Sequence, residues 1–64
     1  MYADDIRKDL ANQGYERDFI RRMTSCGLIA RLAKAIRDGD KAVQDELHRE
    51  ISREHEEFKK HFPD

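Results

Sequence analysis

Three histidines, one cysteine and a series of paired carboxylates are the residues of this chain that could do chemistry. His48, His55 and His61 all fall in its last third. A helical metal pair needs ligands four residues apart on one face, and no histidine has another at that distance. His48 and His55 are two turns apart, and His61 meets only Glu57 at the right spacing, on a solvated side. Cys26 has Arg22 one turn before it, which favours thiolate. A nucleophile also needs an oriented base and an oxyanion site, and no histidine lies nearby in sequence. Cys26 therefore reads as a small apolar contact on the face of Phe19 and Met23. Glu46 with Glu50, and Glu50 with Glu54, stand among Arg49 and Arg53 as ordinary surface pairs of a helix. Glycine-rich phosphate loops, P-loop lysines and nucleophile elbows are all missing from the sequence. Neither an enzyme nor a metal or cofactor site is expected.

The arginines are the more informative residues. Positions 15–37 carry Arg17, Arg21, Arg22, Arg31, Lys34 and Arg37 against only Glu16 and Asp18, whereas 38–64 carry nine acids against five bases. The total, thirteen Lys+Arg against fourteen Asp+Glu, is thus a cancellation between two segments. Either the basic middle faces the acidic last helix, within or between subunits, or Arg17, Arg21, Arg22, Arg31 and Lys34 meet a partner. Gly14 also has a faint helix-turn-helix flavour, with Ile6 and Leu10 before it and Tyr15, Phe19, Ile20 and Met23 after it in a basic helix. Its small residue, Ala11, stands three before the glycine where that motif wants it four before. DNA binding through Arg17–Arg22 is accordingly the alternative reading.

The elements that must position these groups are helices. Ile6 and Leu10 follow Asp4 and Asp5, acids suited to a helix start, and Asn12-Gln13-Gly14 ends the segment, giving a helix over about 4–13. From 16 to 37 the apolar stripe rotates. Phe19, Met23, Cys26 and Ala30 share one face, and Leu28, Ile29, Leu32, Ala33 and Ile36 fill another. This predicts two nearly continuous segments, about 16–25 and 28–37, acting as one rod bent near Gly27. Asp38-Gly39-Asp40 ends that rod and caps a last helix over 41–61, whose stripe is Val43, Leu47, Ile51, Phe58 and Phe62. Phe58 and Phe62 would close the core against Tyr2 and Ile6.

Sixty-four residues make one small domain, 1–64, with a limited core. The longest uncharged apolar stretch, Cys26–Ala30, is far short of a membrane span, and the opening residues do not read as a secretory signal. A single cysteine suits a reducing, cytoplasmic setting.

The fold class expected is all-α: a helical hairpin with a short N-terminal helix. Because the core has no disulfide or metal to support it, a homodimer is expected, through Phe19, Met23, Leu28, Ile29, Leu32, Ile36, Val43, Leu47, Ile51, Phe58 and Phe62 as core or dimer contacts. The function expected is binding to another macromolecule, a protein before a nucleic acid. Chains this small without site chemistry include inhibitors and adaptors, among them those of phages and plasmids.

Overall fold

The computed structural model describes residues 2–61, and these are all-helical apart from short turns. Helix α1 runs Tyr2–Asn12, α2 Arg17–Ser25, α3 Leu28–Asp38 and α4 Lys41–His61. No helix among them is long and apolar enough to cross a membrane.

Capping chemistry explains the breaks. At the end of α1, Tyr15 N–H donates to Leu10 O (3.1 Å) and Gly14 N–H to Ala11 O (3.1 Å). The same pair of bonds recurs after α3, from Asp40 N–H to Ala35 O (2.9 Å) and from Gly39 N–H to Ile36 O (3.1 Å). Both are Schellman closures, which satisfy the last carbonyls of a helix by reversing the chain. Asp40 then accepts Val43 N–H at 3.2 Å, satisfying one of the free first-turn amides of α4.

Gly39 sits at φ +72°, and a Cβ built there would meet no atom within 4 Å. Substitution therefore costs only the backbone conformation. Gly39→Val should lower stability by about 1–2 kcal/mol, and Gly39→Asn by less, because asparagine tolerates the left-handed region. Urea denaturation of the two variants should rank them in that order.

Helix α3 lies at the centre. It packs against α1 on one side and α4 on another, while α2 touches all three and α1 does not approach α4. The core comprises Ile6 and Leu10 of α1, Phe19, Ile20 and Met23 of α2, Leu28, Ile29, Leu32 and Ala35 of α3, and Leu47, Ile51 and Phe58 of α4. Ile36 is partly buried against it.

Several expectations about faces are corrected by this packing. Gly27, at φ +89°, stands between α2 and α3 and caps the start of α3, so the periodic phase is reset there. Cys26 and Ala30, counted on the Phe19 face across that break, are both exposed. Cys26 lies one residue beyond the end of α2, exposed, and its thiol turns back to Met23 O at 3.4 Å. Val43 is 39% exposed and takes no part in the core. It lies to one side of the seam that Leu47, Ile51 and Phe58 present to α2 and α3. Phe58 packs on Phe19, with ring centroids 5.4 Å apart, instead of reaching toward Tyr2 and Ile6. Phe62 lies outside the described residues.

Candidate functional site

Helix α2 begins at Arg17, so that Arg17 and Arg21 project from one side of it, one turn apart, and Phe19, Ile20 and Met23 turn inward. The neighbouring α1 brings Arg7 to the same side. Together Arg7, Arg17, Asp18, Ile20, Arg21, Thr24 and Ser25 line an open groove between the two helices. Arg7 is held by Asp4 of its own helix. Arg17 and Arg21 form no ion pair among the described residues. Two exposed guanidinium forks thus stand a helical turn apart over an apolar edge of Ile20. Thr24 adds little as a donor, because its hydroxyl already donates to Ile20 O at 2.9 Å.

The five basic residues singled out in the sequence do not form one patch. Arg17 and Arg21 share the α1–α2 groove. Arg22 turns toward Glu54, Glu57, Phe58 and His61 on α4. Arg31 and Lys34 line a different valley, between α3 and α4, opposite Glu46 and Glu50. Lys34 lies 3.6 Å from Asp38 of its own helix, and Arg37 lies 3.8 Å from the same carboxylate.

A polar contact between α2 and α4 ties distant parts of the chain, and its polarity is the reverse of the basic-middle, acidic-end arrangement. Glu16, the residue that opens α2, meets His55 of α4, Oε1 to Nε2, at 2.7 Å. The His55 ring is wedged among aromatics. It stands edge-on to Tyr15 (4.6 Å between centroids) and Phe19 (4.8 Å), and its plane lies nearly parallel to that of Phe58 (6.3 Å). Neither the wedge nor the clasp was legible in the sequence, because Tyr15, Glu16 and Phe19 lie some forty positions earlier in the chain than His55.

The hydrogen bond from His55, then that from the Glu16 backbone amide, hold the Glu16 carboxyl below its ordinary value of 4.5. A carboxyl lowered in the fold adds stability that is fully present above its unfolded value and is lost as pH falls through the folded one. Glu16→Gln should therefore narrow the gap in urea midpoint between about pH 6 and about pH 3. An unchanged gap would mean that the contact does not contribute.

Among the described residues no three of His, Cys, Asp and Glu stand close enough to hold a metal ion, and no buried side-chain nitrogen or oxygen lacks a hydrogen-bond partner. What the surface does offer is charge. No protein-family model, curated protein or solved structure matches the chain. Function is therefore read from the residues themselves.

Proposed function

We propose that this chain is a non-enzymatic interaction protein that works as a helical homodimer and binds an acidic surface of a protein partner through the α1–α2 groove. The observation that carries this reading is the pair Arg17 and Arg21, exposed, one turn apart and without ion pairs among the described residues. A guanidinium presents a planar fork that engages a carboxylate through two parallel N–H···O bonds. Two such forks at i,i+4 match carboxylates at i,i+4 on a facing helix.

The scaffold behind the groove reads as a helical hairpin. Only Gly39 and Asp40 separate α3 from α4, and Gln44 Nε2 reaches back to Ala35 O at 3.3 Å. The cytoplasm suits an exposed thiol at Cys26. A role as inhibitor or adaptor, including in a phage or plasmid, fits a surface that binds and has no reaction to perform.

DNA binding is the second reading, favoured by the closely turned pair α1–α2. In a helix-turn-helix the first helix crosses the phosphate backbone. Here α1 carries Asp4, Asp5 and Asp9, and Asp18 stands inside the groove itself. Those carboxylates repel phosphate, and a protein partner can leave them solvated.

Affinity capture from an extract of the native host separates the two. A protein retained by the wild-type chain and released by Arg17→Glu with Arg21→Glu supports the first. Duplex DNA bound with a steep salt dependence that Arg21→Ala plus Arg22→Ala flattens would replace it with the second.

A further inference from the structure

We propose that the valley between α3 and α4 is the contact surface for a second copy of this chain. The inference rests on the homodimer in the functional reading above and is independent of the α1–α2 groove.

Val43 and Tyr2 are the large hydrophobic side chains left exposed among the described residues, and Val43 lies in this valley beside Ala35 and Leu47. The two banks differ in sign. On the α3 bank stand Arg31 and Lys34, and on the α4 bank stand Glu46 and Glu50. Arg31, Glu46 and Glu50 form no ion pair among the described residues. The remaining carboxylates of the valley are engaged locally at its loop end. Asp38 takes Lys34, and Asp40 caps α4.

A surface with one basic and one acidic bank complements itself under one kind of symmetry. A two-fold axis running along the valley places α3 of each copy over α4 of the other, so every basic bank meets an acidic one. A two-fold axis across the valley would instead stack like on like, which is strongly unfavourable. Register supports the first arrangement. The bond from Gln44 to Ala35 sets those two residues level. Arg31, one turn before Ala35, then lies level with His48, between Glu46 and Glu50, one turn apart on α4. Because an axis along the valley preserves height, Arg31 of one copy falls between Glu46 and Glu50 of the other. Val43 falls at the height of the partner copy's Ala35, so the partner copy's α3 lies over it.

The test uses two variants of the full chain. Arg31→Glu with Lys34→Glu makes both banks acidic, and Glu46→Lys with Glu50→Lys makes both basic. Analytical ultracentrifugation should show the wild-type chain as a dimer. Each variant alone should self-associate about a hundredfold or more weakly. Mixing the two variants should restore a dimer containing one of each, which a merely misfolded chain would not do. Helical circular dichroism of each variant checks the fold directly. Two variants that each dimerise as the wild type does would overturn the proposal and leave the homodimer standing on another face. Failure of the mixture to associate would also overturn it. A wild-type chain that stays monomeric at high micromolar concentration would overturn both this surface and the homodimer.

Discussion

Phe19→Ala should abolish the cooperative thermal transition of this protein near room temperature, and Phe19→Leu should preserve a weakened one. Phe19 is completely buried where α2 meets α4. Its ring is 5.3 Å from Tyr15, 4.8 Å from His55 and 5.4 Å from Phe58. Truncating a buried phenylalanine to alanine costs about 3–5 kcal/mol, from lost transfer free energy and from the cavity left behind. Net stability runs at about 0.05–0.15 kcal/mol per residue, about 3–10 kcal/mol for a 64-residue chain, and a core this small, with no disulfide, stands at the low end of that range. The substitution also removes the surface on which His55 rests, and with it the geometry that brings Nε2 to Glu16. Circular dichroism melts at one fixed protein concentration check the result. A melting profile like that of the wild type would show that the aromatic cluster is not what joins α2 to α4.

The second large effect concerns binding. Arg17→Glu with Arg21→Glu should weaken partner binding by about a hundredfold or more, since reversal both removes two guanidinium forks and sets like charges against the partner's carboxylates. Helix content should be unchanged. Both positions are exposed, and an acid at the first residue of α2 suits the positive end of the helix dipole. A loss of binding with the fold intact separates recognition from stability, which Phe19→Ala cannot do.

The helical character of the chain was legible because local chemistry dictates it. Gly39 and Asp40 supply a left-handed closure and a side-chain cap in adjacent positions, and nothing beyond neighbouring residues is needed to read them. The core was legible where a stripe lies within one helix, as with Leu28, Ile29 and Leu32, or with Leu47, Ile51 and Phe58. It was misread where a stripe was continued through Gly27, because a periodicity of 3.6 residues holds only within one unbroken helix. Cys26 and Ala30 share the Phe19 face only if the two helices are counted as one, and both are exposed. Ile20 and Ala35 lie in the core because α2 and α3 each meet more than one neighbour, so their buried arcs are wider than a single stripe. Val43 sits on the pattern of α4 but is exposed, in the valley between α3 and α4.

The candidate site was legible only in part. Composition located an excess of arginine in the middle of the chain but not its division into two surfaces. That division follows from the turn at Gly27, which points Arg17 and Arg21 toward α1 and leaves Arg31 and Lys34 beside α4. Arg7 joined the groove only through the packing of α1 on α2, which no local spacing encodes.

Titration of the captured partner, purified and free of nucleic acid, into wild-type protein and into the Arg17→Glu, Arg21→Glu variant decides whether the α1–α2 groove is the binding surface. The groove reading predicts saturable binding to the wild type, an affinity lower by about a hundredfold or more for the variant, and unchanged helix content in both. Equal affinity for the two proteins would contradict it.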